Sequence, residues 1–341
     1  MDRQDSAPSG RRTFIGLCLA ALVLATLPGL AKAGDSGSAT PMPFVTDGTM
    51  NSHGWVLNST HSDEFSGQKL DTQKWVPDMA QWGTNWSWSP QNVSVSNGSL
   101  HLVLKYAPND ISGKHKAYTS GIIISRTPMR YGFFEARIKG AYPQPGVLPA
   151  FWLGGQGLIL HDQRQVTEID ILEAMEHDVA PDQGVPIVNH MVHVFKHPNA
   201  PGLSRNSRPL WQFNIGGGPV SWNPFANYHV YGVEWTPRVI KMYVDGRLQG
   251  QIYNRWWHTP LVVMLSLGLV EPYQEAPSSD GFPSRMSVDY VRVWESQRVN
   301  ALEPLWPQSR RVRTKQEWMS GLLQEHPLQL RPWKPRKRWR P

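Results

Sequence analysis

Thr167-Glu168-Ile169-Asp170-Ile171-Leu172-Glu173-Ala174 is the stretch on which the reading of this chain turns. Three carboxylates fall within six residues, with only apolar side chains between them. Laid out as a β-strand, alternation puts Glu168, Asp170 and Leu172 on one face and Ile169, Ile171 and Glu173 on the other. A β-bulge after Asp170 inserts one extra residue and returns Glu173 to the face of Glu168 and Asp170. The strand then carries a row of three acids. Paired carboxyls of this kind suit glycosidic cleavage, where one protonates the leaving oxygen and the other attacks or activates water. A helix is also open on these residues alone: Thr167 can cap it, Asp170 sits in a capping-box-like position, and Glu, Leu, Ala and Met favour helix.

The surrounding chain favours the strand. From about Trp55 to Trp294, short runs rich in Val, Ile, Tyr, Phe and Trp alternate with turn signals. Asn92–Val95 and Leu100–Leu104 flank Asn97-Gly98, a hairpin signature. Ile122–Ile124, Gly132–Lys139, His229–Trp235, Ile240–Val244 followed by Asp245-Gly246, Leu261–Leu267 and Met286–Trp294 continue the pattern. No long helical period appears before residue 310. The expected fold is all-β, a sandwich of two stacked antiparallel sheets forming one domain over 54–297.

Composition bounds the function. The chain has 341 residues and 16 tryptophans, a load that suits either flat sugar ligands or a large sandwich core. The net charge of +7 is unevenly spread. Residues 1–33 carry 4 basic and 2 acidic groups, residues 34–297 carry 19 and 22, and residues 298–341 carry 11 and 3. The body is mildly acidic, which speaks against nucleic acid as a partner. The single cysteine, Cys18, falls in the leader, so neither disulfides nor thiolate metal sites are expected in the domain.

Residues 1–33 read as an export signal: Arg11-Arg12 precede an apolar run from Phe14 to Leu30, and Ala31-Lys32-Ala33 fits a small-x-small cleavage site. Arg11-Arg12-Thr13-Phe14 resembles a twin-arginine signal. A secreted, periplasmic or cell-surface monomer with no membrane contact after cleavage is expected. Residues 34–53 read as a linker. Residues 298–341 form a basic tail with interspersed Pro and Trp, expected to be disordered.

Several stretches in series resemble glycoside hydrolase family 16, the jelly-roll hydrolases of β-linked glucans and galactans. They are Ser62-Asp63-Glu64-Phe65, Tyr118-Thr119-Ser120-Gly121, Tyr131–Lys139, Pro149-Ala150-Phe151-Trp152 and Glu168–Glu173. Tyr231–Thr236, Tyr243-Val244-Asp245-Gly246 and Val288–Val293 complete the series. Within the family, Trp86-Ser87-Trp88, His190-Met191-Val192-His193, Arg208–Trp211, Trp257-His258 and Ser266–Leu269 resemble the κ-carrageenase group. One departure stands out: that group tends to carry arginine where this chain has Val270. A guanidinium there would pair with a sulfate ester; without it, galactans with fewer sulfates at the cleavage point, such as furcellaran, β-carrageenan or agar-type chains, stay open.

The resemblance implies a retaining hydrolase of a polysaccharide, with Glu168 as nucleophile, Glu173 as acid and then base, and Asp170 supporting both. Retention needs the two carboxyls about 5–5.5 Å apart, whereas four strand steps separate their Cα atoms by about 13 Å. Curvature and inward-leaning side chains must close that gap. Trp86, Trp88, Trp152 and Trp211 are candidate sugar platforms, and Arg126, Arg130, Arg205, Arg208 and Arg255 candidate sulfate contacts. His190 and His193 are candidate substrate contacts; three apart on a regular strand, they face opposite ways, which argues against a shared metal. No cofactor is expected. A structural calcium ion is common in the family, but no decisive ligand run marks one here. Two alternatives remain open: an endo-β-1,3-glucanase, which shares the acid motif, and a non-catalytic carbohydrate-binding module, against which the intact acid row speaks.

Overall fold

The structure is a computed structural model. It describes residues 40–46, 53–79, 83, 85–111, 113–141, 146–155, 166–176, 186–196, 211–269, 282–302 and 304–305. Among these, seventeen strands, numbered in chain order, form two sheets. One sheet runs β15 (Arg247–Tyr253), β14 (Val239–Val244), β13 (His229–Trp235), β8 (Gly132–Lys139), β17 (Ser284–Glu295), β5 (Ser99–Ile111), β6 (Lys114–Ser120), β3 (Trp86–Trp88). On it, β1 (Val56–Leu57) joins β17 and β4 (Val93–Ser96) joins β5. The other runs β12 (Trp211–Pro219), β11 (Pro186–Lys196), β10 (Val166–Glu176), β9 (Val147–Gly155), β16 (Leu261–Leu269), β7 (Ile122–Ser125), β2 (Trp75–Val76). Every pairing is antiparallel except β3 with β6.

The alternation read from sequence explains the layers. Phe134, Ala136 and Ile138 of β8 are all at 0% exposure and meet Ile169, Ile171 and Val192 of the other sheet in one hydrophobic cluster. The continuous apolar run Leu261–Leu267 is buried on both faces, as befits a strand in the middle of its sheet. Trp75, Trp86, Trp235, Trp257 and Trp294 are fully buried. For these five, the core has claimed the tryptophan load; each large apolar side chain removed from water contributes about 1.5–3 kcal/mol.

Both hairpin signals form as read. Asn97-Gly98 and Asp245-Gly246 adopt positive φ at both positions (53° and 71°; 47° and 75°), as a two-residue turn matched to strand twist requires. The leader, most of the linker, most of the tail, Arg205, Arg208, Val270 and the side chain of Trp211 lie outside the described residues.

Candidate active site

β10 lies between β9 and β11 in the seven-stranded sheet. Glu168 stands opposite Gly154 and His193, and Asp170 opposite Trp152 and Met191. The register then shifts. Asp170 to Leu172 spans two residues while β9 advances one, from Trp152 to Phe151. Asp170 to Glu173 spans three while β11 advances two, from Met191 to Asn189. Ile171 is the inserted residue, and Ile171 and Leu172 together stand against the single residue His190. This is the bulge read from the acid spacing, and it overturns the helical alternative. Ile169, Ile171, Leu172 and Ala174 are buried at 0–1% in the core. Glu168, Asp170 and Glu173 share the opposite face.

The acids act on one another. His193 sets its Nε2 2.8 Å from Asp170 Oδ2 and 3.9 Å from Glu168 Oε1. Burial pushes Glu173 up to about 8, the charge of Asp170 adds to the rise, and His193 opposes it. Burial also raises Asp170 to about 8, against a hydrogen bond with Glu168 that lowers it. Glu168 is held well above its ordinary range by burial, then by Asp170, with His193 opposing. Three carboxyls in one partly dry row cannot all ionise at neutral pH, so they share protons and titrate as a unit. Acid and carboxylate therefore coexist on adjacent residues, which is what acid–base work on an acetal needs.

Backbone braces hold the row from behind. The Trp257 indole N–H donates to the carbonyls of Glu168 (2.9 Å) and His193 (3.1 Å), the directly paired residues of β10 and β11. Trp257 is itself clamped. Its N–H donates to Asn254 Oδ1 (3.0 Å), and its carbonyl accepts from Asn254 Nδ2 (2.8 Å) and the Trp235 indole (2.9 Å). In the sequence, Trp257 carries no signal beyond the short Trp257-His258 resemblance. Its role depends on where the β15–β16 connection aims the indole, which no residue pattern encodes.

The other candidates separate. Trp152 lies in the acid row beside Asp170; it is 8% exposed and its indole N–H donates to Ser266 Oγ at 3.1 Å. Trp86 and Trp88 depart from the expectation of sugar platforms. They are 1% and 3% exposed, pack edge-to-face at 4.3 Å, and Trp86 donates to the carbonyl of Leu269. β3 tucks in parallel beside β6 and carries both indoles into the core, leaving no open ring face for a sugar. His190 departs as well: it is 1% exposed, and its Nδ1 bonds the Ile171 carbonyl at 2.7 Å. The two histidines do face opposite ways, His193 toward the acids and His190 into the core.

Arg126, beyond the end of β7 and three strands from β10, donates to the carbonyl of Thr72 at 2.6 Å. Arg130 stacks over Tyr131 and Arg255 over Trp256, at 5.5 and 5.4 Å. Arg130 also donates to the carbonyl of His258 at 3.4 Å. Among the described residues, Glu168, Asp170 and His193 are the one trio of His, Cys, Asp or Glu side chains near enough to share a metal ion, with donor atoms within 4.8 Å of one another.

Two stacked antiparallel sheets with an acid row on a bulged inner strand define a jelly-roll glycoside hydrolase domain. The chain belongs to glycoside hydrolase family 16: the profile described as the GH16 domain of β-porphyranases A–D matches residues 55–296. It is 32% identical over 271 residues to the κ-carrageenase of Pseudoalteromonas carrageenovora, covering 70% of this chain and 64% of that protein. It therefore spans a little under two thirds of that relative. The crystal structure of the κ-carrageenase from the same organism, in complex with a κ-carrageenan oligotetrasaccharide, superposes with a TM-score of 0.59 at 29% identity. That match covers 79% of this chain and 99% of the other. β-Porphyranase B of Zobellia galactanivorans is 28% identical over 208 residues, covering 58% of this chain and 68% of that protein.

Proposed function

We propose that this chain is an exported, endo-acting, retaining glycosidase that hydrolyses β-1,4 linkages of a red-algal sulfated galactan, with κ-carrageenan as the leading substrate. The bulge at Ile171 carries the reading, because it turns Glu173 onto the face of Glu168 with Asp170 and His193 between. Glu168 attacks the anomeric carbon while Glu173 protonates the departing oxygen. Glu173 then takes a proton from water as that water releases the sugar from Glu168. The raised affinity of Glu173 for its proton supports the acid role. The approach of His193 to Glu168 and Asp170 favours negative charge at the nucleophile's end of the row. Both steps use the chain's own carboxyls and need no cofactor. The register opposite Asp170 supports Trp152 as the sugar-stacking aromatic of the row.

Two relatives bear on the substrate, one named a κ-carrageenase and one a β-porphyranase, both for galactans. The test is a reducing-end assay on κ-carrageenan, furcellaran, agarose, porphyran and laminarin. The expected result is fastest release from κ-carrageenan or its less sulfated relatives. Product from laminarin alone would replace the galactan reading with a β-1,3-glucanase.

A further inference from the structure

A bulge disrupts the ladder of backbone bonds beside it and so is free to migrate unless something fixes it. Here a migration of one residue matters. If the extra residue were placed one step further on, Leu172 would turn toward the acids and crowd onto one position with Glu173, pushing that carboxyl out of line with Glu168. The core side of the bulge offers one polar side chain to hold it. His190 is the single β11 residue facing Ile171 and Leu172, and its ring nitrogen lies 2.7 Å from the carbonyl of Ile171, the inserted residue. The ring is buried among apolar groups at 1% exposure. Burial drives its proton affinity down to about 4, so at working pH it is neutral with one N–H. The Ile171 carbonyl can only accept, which fixes that hydrogen on Nδ1.

We infer that His190 is a positioning residue: its Nδ1–H pins the carbonyl of Ile171, locks the bulge in register, and thereby sets Glu173 against Glu168. This rests on the acid–nucleophile assignment above. The imidazole touches no substrate and transfers no proton. Its effect passes through one backbone carbonyl to the direction of the carboxyl two residues on, Glu173. Asparagine can place an amide N–H close to where Nδ1 stands, whereas leucine fills the space without a donor. The two variants therefore separate the hydrogen bond from the packing.

The test compares wild type, His190→Leu, His190→Asn and Glu173→Gln on two substrates. One is the polysaccharide cleaved fastest. The other is an aryl β-glycoside of the matching oligosaccharide, whose leaving group needs no protonation. The expected result for His190→Leu is a kcat on polysaccharide lower by about 10- to 100-fold, the scale of a misplaced catalytic group. KM should change by less than about twofold, as when only a transition-state interaction is lost. The loss on the aryl substrate should be much smaller, and His190→Asn should recover most of the polysaccharide rate. Equal loss on both substrates, or equal rates for the leucine and asparagine variants, overturns the inference. Glu173→Gln reports separately on the assignment beneath it: if that variant shows no selective loss on polysaccharide, the acid role fails instead. Should His190→Leu not fold, proton NMR of wild type decides. A slowly exchanging His190 Nδ1–H at neutral pH is expected, and a ring proton exchanging at the solvent rate overturns the inference.

Discussion

Glu135 makes a useful counterpart to the acid row, because burial without catalytic company shows what the fold does to a carboxyl. It is 3% exposed on β8, and its two oxygens accept from the Met42 backbone N–H at 2.9 Å and the Tyr290 hydroxyl at 3.0 Å. Burial outweighs these bonds and raises it from 4.5 to about 7. The folded state thus holds this proton more tightly than the unfolded chain does. The stabilisation is complete below about pH 4.5 and is lost as pH climbs through about 7, amounting to about 3 kcal/mol at most. Glu135→Gln removes the titration. Denaturant unfolding of both proteins across pH 4 to 8.5 should show wild type losing ground to the variant over that window and then running level. A difference that does not vary with pH contradicts the assignment.

At this scale the sequence was legible where chemistry forces a residue type and illegible where packing does. Glu168, Asp170 and Glu173 declared themselves because three acids in an apolar run need a reason. Trp86, Trp88 and Trp152 looked alike as letters. Two became core and one joined the acid row, because strand partners decide which way an indole faces.

The bulge is the element that converts spacing into a site. Glu173 lies five positions after Glu168, an odd number, so a regular strand would split them between faces. Two length changes test this. Deleting Ile171 restores simple alternation as Glu-Ile-Asp-Leu-Glu and keeps all three acids on one face, so turnover on the polysaccharide should remain measurable. Inserting one alanine after Ile171 either keeps the bulge and sends Glu173 into the core, or irons it out and leaves Glu173 on the acid face but farther along the strand from Glu168. Both misplace the acid and should cost about 10²- to 10⁴-fold, the worth of a general acid. The reverse pattern, with the insertion active and the deletion dead, would remove the bulge from the account. The bulge itself was readable before any coordinates, since only an extra residue reconciles the spacing with one acidic face. What fastens it was not: His190 and Trp257 act through carbonyls of other strands, and a pattern of side chains carries no record of backbone partners across a sheet.

On the scale of the whole molecule, strand content, two sheets and hairpin turns followed from alternation and from Asn-Gly and Asp-Gly pairs. The order of strands within each sheet did not. β10 reaches its place between β9 and β11 as consecutive strands do, but β16, from much later in the chain, arrives beside β9, and β7, from before β9, pairs on the far side of β16. That arrangement sets Trp152 between Asp170 on one side and Met264 on the other, and places Ser266 within reach of its indole. The sandwich therefore supplies a rigid plane for the acid row, and the bulge sets how far apart its two ends stand.

That separation determines the stereochemical course, because carboxyls about 5–5.5 Å apart retain configuration and those about 6.5–9.5 Å apart invert it. The measurement that tests the account most directly is proton NMR of the reducing-end anomer in the first minutes of digestion of the preferred galactan, before mutarotation mixes the two forms. The β-anomer appearing first is the predicted result, placing Glu173 beside Glu168 as acid and nucleophile on one bond. The α-anomer appearing first would contradict it.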